Sequence, residues 1–302
     1  MSLISRRARW RMSSAARPAT NQLLTPTAVT RRPDREREEH DPSIPPRRAT
    51  ELRAFPHSVL RHRHRRSTRR SDPVTSWTEL PLAAFDLETT GPNPTKDRIV
   101  TACLARIDGK TVNSQNWLVD PEIEIPEGAS NVHGVTTDRA RAEGAPYADG
   151  YKQIRDELER VWAEGRIIAA FNGSFDFTII DREGQRLGYP KLVCGPIVDP
   201  YVVDKAVDKY RKGKRTLSVT CQVYSITLDN AHSADADALA AARLAWVLGS
   251  RNPGLAKLTV DELMEQQTVM YREQQEGLAA YFERTGKDFS DVNTDWPIRG
   301  AA

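Results

Sequence analysis

The chain has 302 residues, 39% of them hydrophobic, and a formal net charge of +3. That length supports one sizeable core or two small ones, and no run approaches the roughly 18 apolar residues of a membrane span. Three Cys and six His, with no CxxC pair, exclude a disulfide framework or a zinc-finger module, and Cys103 and Cys221, in apolar stretches, read as reduced core thiols.

The charge is uneven. Residues 1–75 hold 18 Arg, no Lys and 7 Asp plus Glu, about +11, which leaves about −8 on residues 76–302. Rich in Arg, Pro, Ser and Thr and without periodicity, residues 1–75 cannot bury enough surface to offset their ordering entropy, so a disordered basic segment is expected. It reads either as a nucleic-acid-binding arm or as an upstream stretch included by an over-long gene prediction, with no catalytic role in either case. No apolar run follows its arginines, so it does not read as a secretory signal, and a cytoplasmic protein is expected.

Order is expected from Trp77. Strands are predicted over 82–88, 98–107 and 111–120, the last two joined by the hairpin turn Asp108-Gly109-Lys110. Residues 121–136 read as a loop, with a short helix after Thr137. Tyr151, Ile154, Leu158, Val161 and Trp162 form one apolar stripe, which predicts a helix over 149–164. Then come a strand at 165–172, a helix at 174–188, a short strand in 195–200 and helices at 201–210 and 216–226. A helix over 233–249 is expected to stop at Gly249, and a long amphipathic one spans 258–286, beyond which the chain is expected to fray. The order β-β-β-α-β-α-β-α-α-α implies an α/β fold in which an antiparallel meander joins parallel strands. The domains are then a tail over 1–75, a core over 76–250, and a C-terminal helix with its end over 251–302.

Three short segments carry chemistry. In Phe85-Asp86-Leu87-Glu88-Thr89-Thr90-Gly91 the two acids are two residues apart at the end of an apolar strand, so both face one side of the sheet. Two carboxylates at the edge of a core are expensive unless cations bridge them; the plainer reading is a solvated turn. In Phe171-Asn172-Gly173-Ser174-Phe175-Asp176-Phe177, Asp176 lies early in a helix, where an acid is also favoured electrostatically, and Asn172 holds the entry or orients a carboxylate. In His232-Ser233-Ala234-Asp235-Ala236-Asp237, Asp237 is a candidate ligand with Asp235 as its competitor.

Together these segments resemble the DEDDh exonucleases, the family that includes proofreading subunits of bacterial replicative polymerases and small RNA-trimming enzymes. The DxExTG pattern stands at Asp86–Gly91, the Asn and Asp of the second motif at Asn172 and Asp176, and the His, four residues, Asp pattern at His232 and Asp237. An HG(I/V)T element stands at His133-Gly134-Val135-Thr136. The resemblance covers about residues 80–250 and implies a ribonuclease-H-like mixed β-sheet flanked by helices. It implies that Asp86, Glu88, Asp176 and Asp237 hold two Mg²⁺ or Mn²⁺ ions, and that His232 is the general base of a two-metal phosphodiester hydrolase. Hard oxygen ligands suit those cations, and a histidine near its ordinary pKa accepts a proton near neutral pH.

Leu87, Thr89, Thr90 and Gly91 resemble the family's terminal-nucleotide pocket, where backbone N–H groups meet a sugar or base. His133 either caps a loop or binds the substrate terminus, and Phe175 either walls a base or packs in the core. The basic run 205–216 is either a solvated loop or a phosphate contact through Lys212, Lys214 and Arg215. Residues 266–271 loosely resemble a sliding-clamp motif, but their helical pattern argues against that use. The expected activity is removal of nucleoside 5'-monophosphates from single-stranded or frayed 3' ends of DNA, in proofreading or repair, alone or with a replication or repair protein. An RNA-degrading 3'–5' exoribonuclease and a catalytically inactive nucleic-acid-binding scaffold are the alternatives.

Overall fold

The computed structural model describes residues 76–228 and 233–300. The segment 1–75, expected to be disordered, and His232, expected to be the base, lie outside the described residues. The sheet has five strands: β1 (Leu82–Thr89), β2 (Ile99–Asp108), β3 (Thr111–Leu118), β4 (Ile167–Ala169) and β5 (Ile197–Val198). Their order is β3-β2-β1-β4-β5, with the first three antiparallel and β4 and β5 parallel to β1. This is the predicted meander joined to parallel strands.

Strand β1 is central because it is apolar on both sides. Ala83, Phe85 and Leu87 enter a cluster with helix α3 (Tyr147–Ala163) and helix α4 (Gly173–Arg186). Ala84 joins Cys103, Ala105 and Ile167 beneath helix α7 (Ala234–Arg251). The face of α7 against the sheet is built from Ala234, Ala238, Ala242 and Ala245, side chains small enough to let the helix lie close over β1. Strand β3 is exposed along most of its length, and its polar sequence suits a sheet edge.

Three expectations change. The loop at 121–136 contains helix α1 (Glu127–His133), which ends at Gly134 with φ of 75°; helix α2 (Thr137–Glu143) follows at once, capped by the Thr136 side chain. His-Gly-Val-Thr is thus a helix junction, with a left-handed glycine ending one helix, buried Val135 as anchor and a threonine starting the next. Gly249 does not stop α7, which runs to Arg251; the Trp77 ring lies where a side chain would be, 3.0 Å from the position of an added Cβ. The segment after Gly286 does not fray over the described residues. Trp296 is buried in the main core, and the Arg299 N–H donates to Thr178 Oγ1 on α4 at 2.9 Å.

Helix α5 (Pro200–Val207) leaves β5, helix α6 (Leu217–Val223) precedes α7, and the single turn α8 (Pro253–Ala256) leads into α9 (Val260–Arg284). The side chain of Gln267, on α9, is fully buried and completes the open edge of β5. Its Oε1 accepts from Asp199 N at 2.6 Å and its Nε2 donates to Ile197 O at 2.9 Å, the pattern of a neighbouring strand supplied by one amide. Gln267 and Tyr271, the latter 2% exposed, are therefore committed to the fold, while Gln266 and Val269 face outward on the same helix. Gln267→Leu strips both backbone groups of their partners, and urea unfolding is expected to show a loss of about 2–3 kcal/mol with an unchanged m value.

Candidate active site

The C-terminal ends of β1 and β4 open to one side, the usual position of a site in a sheet with a topological switch. Asp86 and Glu88 lie opposite Cys103 and Thr101 of β2, on the face covered by α7. The register shifts between Glu88 and Thr89, so the strand bends just beyond the second acid. Asp237, on the first turn of α7, completes a group with Asp86 and Glu88 whose ligand oxygens all lie within 4.8 Å of one another. Asp235, the competitor from sequence, is exposed and outside this group.

Asp176 comes from the first turn of α4, and its Oδ1 accepts from Leu87 N at 3.2 Å, which ties it to the strand between the two acids. The turn entering α4 is left-handed at Asn172, with φ of 61° and ψ of 35°, a conformation that asparagine tolerates better than most residues. Asn172 N donates to Asp199 Oδ1 at 2.9 Å. Asp199 is fully buried, caps α5 through Tyr201 N, and carries no motif signal, so sequence reasoning missed it.

The electrostatics follow from this crowding. Burial holds the Asp86 carboxyl well above the usual carboxylate range, and Asp176, Glu88 and Asp237 push it further. Glu88 is raised to about 7 by burial and then by Asp237. Asp176 is raised by burial against the pull of its backbone hydrogen bonds. Clustered carboxylates with oxygen donors at this spacing suit a hard divalent cation, which would remove the repulsion that their own arrangement creates. The donor set therefore fits a metal ion.

The residues after Glu88 are largely committed to the fold. Thr90 N donates to Arg98 O at 2.9 Å and Thr90 Oγ1 to Asp97 Oδ1 at 3.0 Å, while Thr89 Oγ1 donates to Gly91 O at 2.7 Å. A Cβ on Gly91 would stand 2.7 Å from the Asp97 carboxylate, which explains the glycine. With Leu87 N held by Asp176, the N–H groups of Leu87 and Thr90 are not free to meet a nucleotide, as the sequence reading expected of them. His133 lines a cavity of about 390 Å³ together with Glu88, Asn116, Arg139 and Asp235. Its Nδ1 accepts from Val135 N at 3.2 Å, and burial lowers its pKa. Phe175 is half-buried against the main core.

The basic run divides. Arg215 Nη1 donates to the buried Asp204 at 2.8 Å, Arg211 pairs with the same carboxylate, and Tyr224 Oη donates to it at 3.0 Å. Arg215 is thus a structural residue, contrary to its expected phosphate contact, whereas Lys212 and Lys214 are exposed. Among the described residues no helix is long and apolar enough to cross a membrane.

With this geometry in hand, the sequence profile of a family described as exonuclease matches residues 83–245. The chain is 24% identical over 180 residues to a PolC-type DNA polymerase III of Lacticaseibacillus paracasei and 28% identical over 179 residues to that of Listeria innocua, covering 59% of this chain in each case. It spans only 12% of the length of either polymerase. Exonuclease I of E. coli, solved with a dA16 oligonucleotide, superposes with a TM-score of 0.51 at 21% identity over 67% of this chain and 45% of that one. The family match and this likeness together establish a DEDDh-type exonuclease fold.

Three outcomes follow from these contacts. The raised carboxyl groups favour the folded state fully below the ordinary carboxylate range near 4.5, and that contribution is lost as pH rises through about 7 for Glu88. Thermal unfolding in chelator should therefore show stability falling from pH 5 to 8, and Mg²⁺ or Mn²⁺ should restore it increasingly over the same range. Asp86→Asn should raise stability in chelator at pH 8 and abolish the metal-induced shift. Arg215→Ala, which leaves Asp204 short of a buried partner, should cost about 1–3 kcal/mol of stability in a urea titration without changing that metal response.

Proposed function

The chain belongs to the exonuclease family, and from that premise we propose that it is a metal-dependent 3'–5' exonuclease that releases nucleoside 5'-monophosphates from the 3' ends of DNA. The convergence of Asp86, Glu88 and Asp237 within 4.8 Å, with Asp176 tied to the strand between them, carries this reading. In it, residues 76–250 are the catalytic unit, 251–302 support it, and 1–75 are a separate tail in a cytoplasmic protein.

The four carboxylates would hold two Mg²⁺ or Mn²⁺ ions. Bound there, such a pair supplies Lewis acidity toward the phosphate and a water that ionises near neutral pH. The chain's own groups do the rest. His232 accepts the proton of the attacking water. Asp199 fixes the Asn172 turn and so sets where α4 presents Asp176. His133, beside Glu88 in the 390 Å³ cavity, orients the strand terminus, while the half-buried Phe175 offers apolar surface to the terminal base. Lys212 and Lys214 meet phosphates further along the strand. The chain's likeness to polymerase-borne relatives favours DNA over RNA and a replication or repair protein as recruiting partner.

The test uses matched single-stranded DNA and RNA labelled at either end, with Mg²⁺, Mn²⁺ or chelator. A metal-dependent ladder from the 5' label, with immediate mononucleotide release from the 3' label, is expected on DNA. Asp86→Ala and His232→Ala should each lower the rate by 100-fold or more, within the range usual for a general base. The same pattern on RNA alone would move the substrate to RNA. No cleavage with either metal would leave a nucleic-acid-binding scaffold.

A further inference from the structure

Resting on that exonuclease reading, we propose that residues 208–216 grip the substrate strand away from its 3' end, with Tyr210 stacking on a base and Lys209, Lys212 and Lys214 holding phosphates. Tyr210 is 88% exposed, at the centre of the densest run of cations in the described chain. A large aromatic ring held in water beside several ammonium groups is the composition that single-stranded nucleic acid selects, because every base has a π-face and every linkage a charge.

The cations in this run do two different jobs. Arg211 and Arg215 turn inward to the fully buried Asp204, where Tyr224 also donates, and Arg215 is only 13% exposed. Arg215 further donates to the carbonyls of Asp204 and Asp208. These bonds anchor the loop to the end of α5. Lys209, Lys212 and Lys214 turn outward, and among the described residues none of the three makes an ion pair. Gly213, with φ of 99°, separates Lys212 from Lys214 at the tip.

Both ends of the loop connect to the segment that carries Asp176. Asp199, which holds the Asn172 N–H, begins α5, and the eight residues of α5 place the loop about 12 Å further on. Immediately after the loop, Leu217 packs in one cluster with Phe171, the residue before Asn172. A strand whose terminus lies at Asp86 and Asp176 would pass the loop with nucleotides upstream of the scissile bond. The charge argues for this occupant over a protein: residues 76–302 carry about −8, so a polyanion is repelled elsewhere and drawn here. An acidic peptide would satisfy the lysines but give the Tyr210 ring no base to stack on.

The experiment uses the full chain with 5'-fluorescein-dT20 in two measurements. Fluorescence anisotropy, with Ca²⁺ in place of Mg²⁺, reads binding without depending on turnover. Kinetics compare kcat/KM on the oligonucleotide with kcat/KM on the p-nitrophenyl ester of thymidine 5'-monophosphate, which has no upstream strand. Tyr210→Ala is expected to weaken dT20 binding about five-fold or more, and Tyr210→Phe, which keeps the ring, to stay within about two-fold of wild type. The double variant Lys212→Ala, Lys214→Ala should reduce the slope of log K against log salt by about 1.4. In both the alanine variants, the kcat/KM ratio of oligonucleotide to ester should fall by the same factor as binding. Unchanged binding of dT20, or a parallel loss on the ester, would overturn the proposal. If wild type hydrolysed neither substrate, the exonuclease reading would fail while the anisotropy series still decided the role of the loop.

Discussion

Like charges crowded at the C-terminal end of β1 repel one another, and much of the architecture around them serves to hold them in place. Asp86 and Glu88 share a face because a strand alternates, and Asp237 meets them because an alanine-lined helix lies close over that face. Asp176 is held by an amide from the same strand. Asp176 and Asp237 stand in the first turns of α4 and α7, where the positive helix ends offset part of the repulsion. What remains unbalanced among the carboxylates themselves appears as carboxyl groups raised above their ordinary range. A site held in a state less stable than its surroundings need make it is the usual accompaniment of binding a cation.

The cluster depends on elements distant in sequence. Asn172 adopts its left-handed turn against Asp199, Asp199 is fixed to α9 by Gln267, and Gln267 closes the open edge of β5. Tyr271 and Trp296 bury the C-terminal part of the chain in the main core, and Arg299 bonds to α4 from its far side. The family match ends at residue 245, so Gln267, Tyr271, Trp296 and Arg299 support the second motif from beyond the matched region. They convert a two-residue edge strand, which would otherwise present unpaired backbone, into a closed wall beside the second motif.

The strands and long helices were legible because each carries a strong period. Leu82–Thr89, Ile99–Asp108 and Val260–Arg284 stand within two residues of their expected limits at every end. Helix α1 was not legible: it has no buried residue and no side-chain cap, so neither periodicity nor an N-cap marked it, although Gly134 was an available stop signal. Gly249 misled for the opposite reason, since a glycine within a helix announces either an end or a close neighbour, and only the position of Trp77 decides which. Arg215 looked like its lysine neighbours because the buried Asp204 that claims it lies on the preceding helix, eleven residues back.

By itself the sequence determined the alternation that pairs Asp86 with Glu88, the helix start that carries Asp176, and the spacing that made Asp237 a candidate, since all three are local and survive any packing. Only the tertiary structure decided between Asp237 and Asp235, because two residues on one helical turn differ in direction and the choice rests on which side of α7 meets β1. It also decided which cations of the basic run point outward, and which amides near Glu88 are already bonded. Those outcomes depend on distances between segments far apart in the chain, and a linear pattern records no such distance.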